Sequence, residues 1–214
     1  MTRSGSDPSG SYDAVSEEYV RRFLSELDHK PFDRELLDRF AERVRELGPV
    51  ADVGCGPGQI ARYLHERGLR MVGLDVSPGM VEQARRLHPS IEFSQGDMRS
   101  LDVPAGEWAA LVAFYSIIHI PRDEVPAVLR GFRRALRPSG LLLMSFHIGD
   151  ERIHLDEWWD RPVSLDFFLF QPNEMTGYLR EAGFDVEEAL ERDPYCEDVE
   201  AQTRRCYMVA RAIE

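Results

Sequence analysis

From Ala51 to Gln59 the chain reads Ala-Asp-Val-Gly-Cys-Gly-Pro-Gly-Gln, a glycine-rich turn entered by an acid at the end of a short apolar stretch. The acid is more informative than the glycines. Gly54, Gly56 and Gly58 let a backbone turn sharply and approach a ligand, and they equally serve a tight strand-to-helix turn. Asp52 argues against a bound diphosphate, because two anions would face each other in a poorly screened pocket. A cationic or zwitterionic ligand suits the site better. Asp75 ends the next apolar run, about 20 residues further on, the spacing at which an acid accepts hydrogen bonds from a ribose. A dinucleotide and an adenosyl ligand would both use it. Asp97, in Gln95-Gly96-Asp97-Met98, is placed to bond an adenine amino group or to cap a short turn. Met98 and Met80 can pack against the adenine ring.

Two histidines follow the ends of apolar runs, His119 and His147. An unperturbed imidazole near pKa ~6.5 takes a proton from a hydroxyl or ammonium group, so both are candidate general bases and acceptor contacts; the plainer reading of each is a packed turn residue. His154, Asp156 and Glu157 match no familiar ligand spacing with His147, and no metal site is expected. Cys55 reads as a small residue beside the glycines, since no neighbour in sequence would activate it. The segment from Gly149 to Gln171 holds Trp158, Trp159, Phe167, Phe168 and Phe170 among acidic residues. These rings can wall an apolar or aromatic acceptor under a lid, or simply anchor the segment.

The elements that must position these residues follow from periodicity. Val15, Tyr19, Phe23 and Leu27 recur at four-residue steps and predict a first helix. Asp33 predicts the cap of a second, carrying Leu36, Leu37, Phe40, Val44 and Leu47 to the stop at Gly48-Pro49. Strands are expected over 50–53, 70–76, 91–94, 109–115, 141–147, 184–190 and 203–211, with helices near 58–67, 78–88, 123–136 and 172–182. Such alternation means an α/β domain with a parallel sheet, helices on both faces and ligands at the carboxyl ends of the strands. No helix separates the last two strands, which predicts an antiparallel pair at one edge. The expected organisation is a disordered tail over 1–10 and one domain over 11–214, with a helical cap over 11–48 and a substrate-side insertion over 149–171.

Bulk properties narrow the partners. At 43% hydrophobic and 30% charged residues the chain is too apolar for disorder. Its formal charge of −12 disfavours a nucleic-acid backbone as substrate. No run approaches the ~18 apolar residues that span a bilayer, so no membrane partner is expected. Three cysteines suggest no disulfide framework, and a cytoplasmic setting is expected. The oligomeric state is not legible.

Taken in order, Asp52-Val53-Gly54-Cys55-Gly56-Pro57-Gly58, Gly73-Leu74-Asp75-Val76-Ser77 and Gly96-Asp97-Met98 resemble the successive motifs of class I S-adenosylmethionine-dependent methyltransferases. Phe114 to Ile120, Leu136-Arg137-Pro138-Ser139-Gly140-Leu141 and Leu179 to Phe184 are also similar to that family. The resemblance implies a three-layer Rossmann-like sandwich, its seven-stranded sheet mostly parallel with the last strand antiparallel; the insertion after the fifth strand, read from its place at a strand end, would form a lid over the crevice. The resemblance also implies S-adenosylmethionine as cofactor. Gly54, Gly56 and Gly58, with Cys55 between them, would lie along its methionine part and Asp52 near its ammonium. Asp75, beside Val76, would hold the ribose, and Asp97, Met98 and Met80 the adenine. Tyr12 is similar to an N-terminal tyrosine that closes over the methionine end, and Tyr115 and Ser116 would line the methyl-transfer face. With Tyr115, the acceptor would meet His119, His147, Trp158, Trp159 and Phe168. The chain lacks the Asn/Asp-Pro-Pro-aromatic motif of DNA adenine enzymes, which favours a small-molecule acceptor. A nicotinamide-dependent oxidoreductase is the first rival, though it calls for a GxGxxG spacing; a non-catalytic adenosyl-ligand binder is the second.

Overall fold

The short apolar runs after Pro49 become the sheet that organises the molecule, a computed structural model describing residues 6–213. Strands β1 (Val50–Val53), β2 (Met71–Asp75), β3 (Glu92–Gln95), β4 (Trp108–Phe114), β5 (Leu136–His147), β8 (Phe184–Arg192) and β9 (Arg205–Ala212) lie in the order β3-β2-β1-β4-β5-β9-β8. Only β9 runs against its neighbours, pairing antiparallel with both β5 and β8. This is the expected α/β sandwich with one reversed strand. Between β5 and the helix α6 (Pro172–Glu181) the chain forms a separate two-stranded hairpin, β6 (Arg152–Trp158) and β7 (Arg161–Phe168).

Helices α2 (Pro31–Val44), α3 (Gln59–His65) and α4 (Pro78–Leu87) cover one face, and α5 (Val125–Ala135) and α6 the other. The period-two alternation of a strand divides β4 between the two cores. Leu111 and Ala113 pack toward α5, Ala110 and Val112 toward α2 and α3. Ser77 caps α4 by accepting from Met80 N at 3.1 Å, with Pro78 in the first turn.

Three local expectations are corrected. Helix α1 (Pro8–Phe23) begins inside the expected tail, because the Asp7 side chain accepts from Gly10 N at 3.0 Å and Pro8 opens the first turn. The earlier part of that tail, residues 1–5, lies outside the described residues. Leu27 lies not on α1 but on a short 3-10 turn, Glu26–His29. Asp33 does not cap α2. Pro31 starts that helix from Lys30, leaving Asp33 in its first turn, fully buried, where its carboxylate accepts from Tyr207 Oη at 2.9 Å and Arg192 at 3.0 Å.

The strand order reverses beside β1: the chain winds outward through β2 and β3, then returns to β4 on the other side. A crevice therefore opens beyond the carboxyl ends of β1 and β4. Asp75 ends β2, Gly54 and Tyr115 follow β1 and β4, and His147 ends β5.

Candidate active site

The glycine turn is held open by its own geometry. Gly54 adopts φ +76°, and a Cβ there would sit 2.3 Å from that of Ser116. Ser116 is locked in place, its hydroxyl donating to Val53 O at 2.7 Å, so only glycine fits. Gly58 serves packing: its Cβ would strike the Phe93 ring at 2.8 Å, and it caps α3 away from the crevice.

Above this turn lies a cavity of about 430 Å³, within the range of small-molecule sites. On the glycine side it is lined by Asp52, Gly54, Cys55, Gly56, Asp75, Val76, Met80, Asp97, Met98 and Ser116. Toward β5 and β9 it is lined by Tyr115, His119 and His147, and over the top by Tyr12 and Trp158. Three anticipated residues lie off it. Gly58 is one. Trp159 stacks on Trp158 at 4.4 Å with the Arg22 guanidinium 5.0 Å from its ring. Phe168 points to the other side of β7, where Arg152 approaches its ring, and Phe167 lines the cavity in its place. Adjacent strand residues face opposite ways, so exchanging 168 for 167 exchanges faces.

The acids on the glycine side differ in how fully they are satisfied. Asp75 accepts from Gly56 N at 2.8 Å and Ser77 N at 2.9 Å, binding the turn to the end of β2. Burial still pushes its carboxyl above the ordinary range. Asp52 is 1% exposed and its Oδ2 has no hydrogen-bond partner. Burial, then the charge of Asp75, raises it to about 7. Asp97 accepts from Arg99 N at 2.8 Å and caps a 3-10 turn while still lining the cavity. Cys55 is buried with its thiol pushed well up, chiefly by burial, and is therefore a protonated packing residue.

Sequence reasoning missed Gln59, which directly follows the glycines and lines the cavity. Its Nε2 donates to Glu26 at 3.0 Å, and its Oε1 is buried without a donor. Asp52 Oδ2 and Gln59 Oε1 are thus two buried acceptors without a donor, both on residues that line the cavity. Also missed were Tyr19, Lys30, Glu200 and Arg205 on the cavity wall. The last two come from the β8–β9 connection and the start of β9, where nothing in the local sequence marks them.

Both histidines are neutral. The Asp166 carbonyl lies 2.9 Å from His119 Nδ1 and can only accept, so Nδ1 carries the proton and Nε2 accepts from Tyr12 Oη at 2.8 Å. Burial holds this imidazole down to about 4. With both nitrogens engaged, His119 has no lone pair for an acceptor, which corrects its expected part as a general base. His147 Nδ1 lies 2.7 Å from Thr203 Oγ1 and its ring packs against Tyr115 at 5.2 Å. Burial, then the charge of Arg205, lowers it to about 3. Such an imidazole is a weak base near neutral pH. Tyr115 itself has φ +52°, an uncommon conformation for a bulky residue. Its N–H donates to Ser145 Oγ at 3.0 Å and its hydroxyl meets Tyr207 Oη at 2.6 Å. Among the described residues, no three His, Cys, Asp or Glu side chains are grouped to hold a metal ion.

A cap closes the cavity. On α1, Ser9 donates to Val76 O at 3.1 Å, and Asp13 accepts from Gly79 N at 2.5 Å at the start of α4. Tyr12 lies edge-on to Trp158 at 5.9 Å, joining α1 to the hairpin.

A family model described as a methyltransferase domain matches residues 50–140. The chain is 31% identical over 112 residues to malonyl-[acyl-carrier protein] O-methyltransferase from Serratia marcescens, covering 52% of this chain and 43% of that one. It is likewise 31% identical to trans-aconitate 2-methyltransferase from Streptomyces avermitilis, covering 65% and 58%. The chain spans about half the length of the curated relatives it matches. In fold it superposes on the CcbJ methyltransferase from Streptomyces caelestis with a TM-score of 0.72 at 15% identity, covering 97% of this chain and all of that one. The glycine turn, the acids that follow it, the reversed final strand and the matched family model agree: residues 50–140 carry a methyltransferase domain, within the fold of the class I S-adenosylmethionine-dependent methyltransferases, whose cofactor is S-adenosylmethionine.

Proposed function

We propose that the protein transfers a methyl group from S-adenosylmethionine to a small-molecule acceptor by direct displacement. The observation that carries this reading is the pair of unpartnered buried acceptors, Asp52 Oδ2 and Gln59 Oε1, beside the glycine turn. An ammonium group suits such acceptors, whereas the diphosphate of a dinucleotide would add further anionic oxygens beside them. When bound, the cofactor supplies a sulfonium methyl open to attack by a nucleophile.

The chain's own residues then have distinct tasks. Asp75 uses its remaining lone pairs for the ribose hydroxyls, and Asp97 with Met98 and Met80 receives the adenine. Asp52 and Gln59 hold the ammonium. Tyr12, Tyr19 and Trp158 exclude water above the cavity. Tyr115, fixed by Ser145 and Tyr207, borders the space left for the acceptor. Since the sulfonium is already a good leaving group, alignment and dryness account for most of the rate. Relatives named for malonyl and trans-aconitate acceptors support a small metabolite. The acidic charge of −12 supports the same against nucleic acid. A reducing, cytoplasmic setting belongs to this reading, supported by three cysteines that form no disulfide. Among the described residues no helix is long and apolar enough to cross a membrane.

Calorimetric titration with S-adenosylmethionine and with reduced nicotinamide dinucleotide tests the site, and transfer of a labelled methyl group to a metabolite extract tests the reaction. Binding of the nicotinamide alone would sink the proposal. Tight cofactor binding without transfer would leave a non-catalytic binder.

A further inference from the structure

We infer that the acceptor is a carboxylate, seated against Arg205 where the cavity runs out toward β9. This rests on the methyltransferase reading and adds the acceptor's chemical class. Strands β4 and β5 separate β9 from the glycine turn, which at ~4.8 Å per strand puts Arg205 about 14 Å from it. That is the far wall, beyond the groups that serve the cofactor.

Arg205 is 2% exposed and lines the cavity. Its two terminal nitrogens donate to Thr203 O at 2.5 Å and Ala201 O at 2.9 Å, leaving one N–H on each. Its Nε has no aligned acceptor: Glu200 Oε2 is 3.1 Å away but off the N–H axis. Glu200 shares its charge between Arg205 and other partners, its two oxygens also taking Arg192 at 2.5 and 3.1 Å, and Tyr195 N at 2.7 Å. Arg205 is thus ion-paired with Glu200 yet keeps an unused N–H on each terminal nitrogen at the cavity wall, and such donors favour an acceptor-rich ligand. Lys30 stands nearby, its ammonium 2.5 Å from Glu26 and 3.7 Å from Glu200, so its charge is met within the protein and Arg205 carries the unused donors. Its Nζ and the Arg205 guanidinium each lie 5.9 Å from the Tyr115 ring.

The chemistry agrees with the charge. A carboxylate arrives deprotonated, so it needs no general base, and neither lining histidine is suited to be one. A carboxylate oxygen forms the new C–O bond to the methyl carbon as the C–S bond breaks, and its electron pair passes to sulfur. The products are a methyl ester and neutral S-adenosylhomocysteine, with no proton released.

The test uses the intact chain, methyl-labelled S-adenosylmethionine and a microbial metabolite extract divided by anion exchange into retained and unretained pools. The expected result is label in the retained pool that alkali releases as volatile methanol, the mark of an ester. Alkali-stable label, or label in the unretained pool, overturns the carboxylate while leaving the transferase reading intact. No transfer from either pool overturns both. R205Q, checked for unchanged melting temperature and cofactor affinity, is expected to lower transfer from limiting retained pool at least about tenfold, with partial rescue by R205K. Undiminished transfer by R205Q overturns the assignment to Arg205. Should R205Q fail to fold, the alkali test on the unaltered chain still decides the carboxylate.

Discussion

Tyr12 and His119 stand 107 positions apart in sequence, yet the phenol donates to the imidazole Nε2 at 2.8 Å. The bond ties the N-terminal helix to the turn after β4 and closes the cavity over the glycine loop. Removing the hydroxyl in Tyr12→Phe leaves a buried nitrogen without its donor, at a cost of about 1–3 kcal/mol. The expected outcome is a lower melting temperature, faster amide exchange over residues 8–23 and a faster cofactor off-rate. Unchanged exchange would show that α1 is held without this bond.

Asp75→Ala removes the carboxylate proposed for the ribose and also leaves the N–H groups of Gly56 and Ser77 without an acceptor. Cofactor affinity is expected to fall by about 1.5–3 kcal/mol, the scale of a hydrogen bond to a charged group. Calorimetry reads it directly, and unchanged affinity would place the ribose elsewhere.

Asp52 gives a pH signature with a definite sign. Its carboxyl stands at about 7 in the fold against 3.8 when unperturbed. The folded state therefore holds the extra proton between those values, and this residue's contribution to stability falls as pH rises from about 4 to 7. Asp52→Asn is expected to remove that slope in denaturation curves. An ammonium prefers the ionised carboxylate, so cofactor affinity is expected to rise between pH 6 and 8, with proton release visible in buffers of different ionisation enthalpy. PH-independent affinity would remove Asp52 from the ammonium site.

The histidines act with the opposite sign. His119 and His147 are held at about 4 and 3, below the ordinary 6.5, so the unfolded chain binds their protons first. Their contribution to stability is present above pH 6.5 and is lost as pH falls toward 4. At saturating cofactor, where the Asp52 effect on affinity drops out, the pH–rate profile is expected to show no limb near 6.5, and His147→Gln to leave its shape unaltered. A limb that vanishes in the variant would restore His147 as a base.

Trp159 and Asp160 form the two-residue turn of the β6–β7 hairpin, with φ of +52° and +59°. Both angles belong to the turn type that favours glycine at its second position. Asp160→Gly is expected to stabilise the hairpin by about 0.5 kcal/mol, or about 1–2 °C in this size of chain. A lower melting temperature would show that the Asp160 side chain has a partner in solution.

The glycine turn, Asp75 and Asp97 were legible because each stands at the end of a short apolar run, and in a parallel sheet those ends meet at one edge. The same locality misled at Asp33, where an acid near a helix start read as a cap. Its true partners, Arg192 and Tyr207, are supplied from β8 and β9. At Phe168 the composition was right and the face was wrong, because a one-residue shift in β7 turns a ring from the cavity to the outside.

The sequence by itself determined the sheet, the glycine side of the crevice and the family resemblance, since these depend on periodicity and on spacing within about 25 residues. The tertiary structure alone decided the opposite wall, the one proposed for the acceptor. Lys30, Glu200 and Arg205 come from distant segments, and burial together changes what they do: it neutralises His147, leaves Arg205 with unused donors, and turns two candidate bases into neutral wall residues. Such effects arise from desolvation and from charges across space, which no local pattern of residues records.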